Sequence, residues 1–227
     1  MNNRAILVNY SFDWRAVPLS AWASTGISIE DLGLIPVESR LESIFTQIKN
    51  TKARTPEGLV EFLATEGHTS PFRHIHLMYI ITSDIATHIQ FLKHRVGVEI
   101  NSESARYKRL SETYYVPDDL PSEVKAKIEA HNRNSHNLYT EIYQDLIEAG
   151  YSKGRAKEAS RYVLPYSKQL TYFVTLSLQA LAHLYKLRVS PHAQKEIRDI
   201  VNSMVLQLEQ TGKFDPVMPF VRGESWN

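Results

Sequence analysis

The sequence predicts an α+β fold: a helix-dominated single domain over residues 1–227, built around a small central antiparallel sheet. Three observations lead there. Residues 74–82 (HIHLMYIIT) are rich in β-branched and aromatic side chains, which suit a pleated, half-buried strand. In the second half, apolar residues recur at helical spacing, as at Val124, Ile128, Leu138, Ile142 and Leu146. No internal repeat and no linker divides the chain.

The elements follow in order. Residues 4–11 (RAILVNYS) read as a first strand. The pattern is then irregular through Pro18, Gly26, Gly33 and Pro36, with a helix expected over 38–49. Thr55 caps a helix with Pro56 at its first position, running to about Glu66 before Gly67. After the strand at 74–82, Ser83 or Asp84 caps a helix over 85–95. Residues 96–104 are less regular, and 114–116 form a short strand before Pro117. A long helix over 121–149 stops at Gly150. Residues 155–163 are helical up to Pro165. Residues 170–187 are apolar on most faces and read as a buried helix. Ser190 as cap and Pro191 in the first turn open a last helix ending near Gly212.

Composition narrows the function. Of 227 residues, 43% are hydrophobic and 22% charged, enough to close a core. The net charge of +1 is not that of a polycation built for duplex DNA, so any bound anion needs a local cluster of cations. There is no cysteine, which excludes disulfides, thiolate metal sites and a cysteine nucleophile. The N-terminus has no apolar run of signal-peptide length, and no segment reaches the roughly 18 apolar residues of a membrane span. A soluble protein of a reducing compartment, the cytoplasm, is expected.

Chemistry concentrates at the end of the helix expected over 85–95. Gln90, Lys93 and His94 are related by three and four residues and share a face. Glu99, Asn101, Ser102, Glu103, Ser104, Arg106, Lys108 and Arg109 follow. Short hydroxyls and an amide beside fixed cations suit a phosphate site; a solvated helix end and loop is the plainer alternative. His74 and His76 alternate on the expected strand and, with His68 or His94, would imitate a metal cluster. No carboxylate stands at ligand spacing, so no metal is expected.

The stretch KHRVGVEINSESARY resembles the core motif of flavin-dependent thymidylate synthases, an Arg-His-Arg triplet followed after seven residues by a serine. Lys93 stands at the first arginine, and eight residues separate Arg95 from Ser104. Ser102 or Glu103 therefore takes the place of the motif glutamate. Upstream, Gly67, His68, Pro71, Phe72 and His74 resemble the family's Gly-His-x-x-Pro-Phe-x-His segment. Downstream, ASRYVLP at 159–165 and LRVSPHAQKEI at 187–197 resemble two further blocks. Trp22-Ala23-Ser24 echoes an Arg-x-Ser near the family's N-terminus.

The resemblance implies that Gln90, Lys93, Ser104, Arg106 and Arg161 hold deoxyuridine monophosphate (dUMP), with Ser102 or Glu103 beside them. It implies FAD contacts from Ser70, Lys93, His94, Arg95 and Glu103, and places His68 close to the flavin ring. Arg188 sits against the uracil and favours its ionised form, so Arg188 and His68 are the implied catalytic residues. His183 and His192 match flavin-side positions, His183 in place of an asparagine. Ser177 and Gln179 stand where many members carry Asn and Arg. The implied reaction converts dUMP to dTMP, with methylenetetrahydrofolate as carbon donor and FAD reduced by NADPH. The implied assembly is a homotetramer with sites built between subunits, binding neither nucleic acid nor membrane. A non-catalytic nucleotide- or RNA-binding module and a catalytically impaired member are the alternatives.

Overall fold

The computed structural model describes residues 2–25, 32–49 and 52–224; Gly26, expected to interrupt the early pattern, lies outside them. In chain order come β1 (Arg4–Tyr10), α1 (Ala16–Trp22), α2 (Val37–Lys49), α3 (Pro56–Thr65), β2 (His76–Asp84), α4 (Ile85–Phe91) and β3 (Val98–Ser102). Then follow α5 (Ser122–Glu148), α6 (Lys153–Ser160), β4 (Gln169–Ser177), α7 (Leu178–Arg188), α8 (Lys195–Gln210) and α9 (Met218–Arg222). The strands form one antiparallel sheet in the order β1-β2-β4-β3. The helix-dominated α+β reading holds. No helix among the described residues is long and apolar enough to cross a membrane.

Local chemistry fixes several boundaries. Thr55 accepts from the Gly58 amide, with Pro56 where no donor is needed. Of the two expected caps for α4, Asp84 is used: its carboxylate accepts from the Thr87 amide at 2.9 Å and the Thr87 hydroxyl at 2.8 Å. Ser83 is buried instead against the Tyr172 hydroxyl, 2.9 Å away.

Five expectations need correction. Residues 170–187 are not one helix but β4 followed by α7. Tyr172, Val174 and Leu176 are buried while Thr171 and Phe173 are exposed, the two-residue period of a strand. Ser177 then accepts from the Ala180 amide at 3.1 Å and starts α7. The strand and the helix are both apolar, which hides the change of period. Residues 96–104, expected to be irregular, contain the edge strand β3. β2 begins at His76, because Ser70–His74 form a tight 3-10 turn around Pro71; His74 and His76 therefore share no strand. Residues 114–116 make a single bridge, Tyr114 to Lys168. The last long helix begins at Lys195, not Pro191, and Ser190 accepts from the His192 amide in a preceding turn. His192 thus precedes the helix rather than occupying its first turn.

By packing, the chain falls into two units. The first comprises Met1–Ala5, Ile80–Lys93 and Ile100–Phe173; the second comprises Ile6–Tyr79, His94–Glu99 and Val174–Asn227.

In the first unit, α5 and α6 pack together, and Tyr139, Tyr172, Phe91 and Ile81 are fully enclosed. Lys168 is enclosed as well. Its ammonium donates to Thr113 O at 2.9 Å, Thr113 Oγ1 at 3.0 Å and Gln169 O at 2.9 Å. All three donors are used, which is what allows an ammonium to be buried. Burial pulls its pKa down to about 8.

In the second unit, α8 turns Ile197, Ile200, Val201, Met204, Val205 and Leu208 inward at helical spacing. The Tyr79 hydroxyl donates to Met204 O at 2.9 Å. Leu19, Trp22 and Phe45 form a smaller cluster in the same unit.

Candidate functional site

The residues expected at the nucleotide collect in the first unit, apart from Arg188. Gln90 lies on the last turn of α4 and Lys93 is exposed just beyond it. Ser102 ends β3, and its hydroxyl meets His88 Nε2 at 3.1 Å. His88 is buried on α4 against the Tyr172 ring, with centroids 4.3 Å apart. Burial lowers its pKa, which favours a neutral ring beside Ser102.

Glu103 and Ser102 differ sharply in setting. The Glu103 amide donates to Thr171 O at 3.0 Å, and its carboxylate accepts from the Thr171 amide at 3.3 Å. Lys108 closes an ion pair with it at 2.6 Å. Glu103 therefore prolongs the pairing of β3 with β4, while Ser102 is tied to α4.

The turn after Glu103 is docked on α6. Ser104 Oγ accepts from the Arg106 amide at 3.2 Å, and Arg106 Nε donates to Glu158 at 2.9 Å. Lys157 donates to Tyr107 O at 3.0 Å. Arg161 follows Glu158 by three residues, which puts it on the same helical face. Arg106 is thereby brought to α6, with Arg161 at the C-terminal end of that helix. Among the described residues the Lys93 and Arg161 side chains make no ion pair, so their charge is available to an anion.

The second unit carries most of the residues expected at the flavin. A cleft of about 500 Å³ opens there, within the range of small-molecule sites. One wall comes from Val96 and Gly97, another from Ser177, Gln179, Ala180 and His183 at the start of α7. Gly97 has φ +68°, a conformation that side chains disfavour. Its carbonyl accepts from the Ser177 amide at 3.0 Å. A Cβ at Gly97 would lie 2.9 Å from Ser177 Oγ. The close approach of this backbone to the helix start depends on glycine.

His94 is half-buried beside the cleft wall. Its Nε2 accepts from Arg188 Nε at 2.9 Å, and its ring lies 6.4 Å from that of His183. Burial, then the charge of Arg188 and the nearby His183 ring, bring its pKa down to about 4. His94 is thus neutral near pH 7, with the proton on Nδ1 and a lone pair for Arg188.

Other expected residues stand apart. His68 is exposed, its ring 6.1 Å from Phe62, and it does not line the cleft. Ser70 opens the 3-10 turn and is exposed, as are Arg95 and His192. Sequence reasoning missed Arg73 and His76 in the cleft, and His88 behind Ser102. Arg73 falls at an unspecified position of the family's upstream segment, and His76 and His88 lie beside the motif positions rather than on them.

Residues 22–212 match the thymidylate synthase complementing protein family. The chain is similar to the flavin-dependent thymidylate synthase of Tropheryma whipplei (strain TW08/27), 30% identical over 159 residues, covering 64% of this chain and 66% of the relative. It is 30% identical over 167 residues to that of Thermosipho africanus, covering 64% and 69%. With that of Streptomyces avermitilis it shares 28% over 189 residues, covering 76% and 73%. The chain thus spans just under two thirds of the Tropheryma whipplei relative's length. Its fold matches the crystal structure of a UMP/dUMP methylase from Streptomyces cacaoi bound with 5-Br dUMP. The TM-score is 0.74 over 99% of this chain and 96% of that chain, at 22% identity.

Proposed function

The chain belongs to the thymidylate synthase complementing protein family, and from that premise we propose that it is a flavin-dependent thymidylate synthase converting dUMP to dTMP. The observation that carries the reading is the bond from Arg188 Nε to His94 Nε2. A chain without cysteine cannot activate uracil by thiolate addition at C6. A guanidinium held in a fixed orientation stabilises negative charge building on the ring instead.

The second unit's cleft fits a flavin. Val96, Gly97 and Ala180 offer apolar surface, while Ser177, Gln179 and His183 add polar groups. FAD would be held there, with His94 beside the cleft wall; the family resemblance adds Arg95, Ser70, His68 and His192, which do not line the cleft. When bound and reduced by NADPH, it supplies the hydride that completes the methyl group. Methylenetetrahydrofolate is the carbon donor.

The protein's own part is binding and polarisation. Lys93, Ser104, Arg106 and Arg161 take the nucleotide phosphate, and Gln90 with Ser102 orients the pyrimidine. Glu103, already engaged by Thr171 and Lys108, braces that segment. Arg106 must share its guanidinium with Glu158, so Lys93 and Arg161 carry more of the phosphate charge. Neutral His94 holds Arg188 without competing for the same anion. A homotetramer with shared sites is the expected assembly, and the cytoplasm the expected compartment.

The experiment is dTMP formation by the purified protein supplied with dUMP, methylenetetrahydrofolate, FAD and NADPH. Product that requires all four supports the reading. Binding of dUMP with no turnover, under conditions where flavin is bound, makes the chain a nucleotide-binding module instead.

A further inference from the structure

One cation of the second unit's cleft has no place in the scheme so far. Arg73 lines the cleft with His76, Ser177, Gln179 and His183. Among the described residues no carboxylate lines it and Arg73 makes no ion pair. A cation at a cleft without acids is a standing attraction for an anion.

The side chain is also held in place. Arg73 Nε donates to Gln179 Oε1. Gln179 Nε2 in turn donates to the Thr69 hydroxyl at 2.8 Å. Arg73 has no acceptor, so the amide must turn its oxygen to the guanidinium, and the Thr69 hydroxyl takes the amide nitrogen on the other side. The amide uses Nε alone and leaves both terminal nitrogens of the guanidinium for a ligand. Two parallel donors of that kind match a phosphate group.

We infer that Arg73, oriented by Gln179 and Thr69, is the diphosphate anchor of this cleft, binding a dinucleotide through its phosphates. The inference rests on the flavin reading above and assigns the cofactor's charged part to a residue at an unspecified position of the family's upstream segment. Gln179 is then also a positioning residue, setting Arg73 in place.

The test compares FAD with riboflavin, which has the same ring and no phosphate. Wild type is expected to bind FAD more tightly than riboflavin. Arg73→Ala is expected to cut FAD affinity about ten- to a hundredfold, the scale of a charge-assisted hydrogen bond, and leave riboflavin affinity unchanged. Gln179→Leu, which keeps the cation and frees it, is expected to give a smaller loss in the same direction. A variant that loses FAD and riboflavin equally, or keeps the FAD preference, overturns the assignment. Should wild type bind neither flavin, the flavin reading fails by itself, and ADP against adenosine takes their place as probes. A preference for ADP that disappears in Arg73→Ala then supports the anchor, and no preference, or one that survives, overturns it.

Discussion

Arg188 Nε and His94 Nε2 are 2.9 Å apart, and the direction of that bond fixes the state of both groups. Arginine has no acceptor, so His94 must present a lone pair. Replacing His94 by phenylalanine keeps a ring but removes the acceptor. Turnover is expected to fall while the KM for dUMP changes little, because the proposed phosphate contacts are left in place. His94→Gln, which can still accept, is expected to recover part of the loss. Equal kinetics for the two variants would show that the bond does not position Arg188.

The same contact predicts a pH dependence of stability. His94 titrates at about 4 in the folded chain against 6.5 for an ordinary histidine. Between those values the unfolded chain binds the extra proton, so stability rises with pH and levels off above about 6.5. Below that point the contribution is lost progressively as pH falls towards 4. Urea midpoints measured across this window should rise less steeply with pH in His94→Gln than in wild type. Identical slopes would mean that His94 is not held neutral.

Gly97→Ala is expected to destabilise the fold by about 1–2 kcal/mol, the cost of a left-handed conformation for a residue with a Cβ. Its φ of +68° and the 2.9 Å approach of a Cβ to Ser177 Oγ both oppose alanine. Chemical denaturation gives the value directly. An unchanged midpoint would show that the loop relaxes without cost.

Legibility in the sequence followed the range of the interaction. The caps at Thr55 and Asp84 act within one turn, and both helix starts were readable. The switch from β4 to α7 at Ser177 was not, because a buried strand followed by a buried helix makes one apolar run. The motif from Lys93 to Arg106 was plain as a pattern. The long-range contacts were not: Arg188 lies 94 residues from His94, and Gln179 lies 106 from Arg73. Nothing in spacing announces contacts that α7 makes with segments so far back in the chain. His192 was misread because Ser190-Pro191 imitates a helix start one turn too early.

Lys93→Arg is expected to preserve or raise activity, since the fork of arginine binds phosphate through two parallel hydrogen bonds. Lys93→Ala should weaken dUMP or flavin binding by about 1.5–3 kcal/mol, the range for hydrogen bonds to charged groups. Isothermal titration with each ligand separates the two. Normal affinity for both in the alanine variant would remove Lys93 from the site.

The most direct measurement is tritium release from C5 of labelled dUMP by wild type and Arg188→Ala, with flavin content read by absorbance on the same samples. Arg188 is a half-buried side chain at the end of α7, held by His94 and close to no carboxylate among the described ion pairs. Losing one preorganised electrostatic contact of this kind typically costs about a hundred- to a thousandfold in rate. The predicted result is release reduced on that scale with flavin still bound. Near-normal release by Arg188→Ala with its flavin in place would contradict electrostatic activation of the ring by this residue.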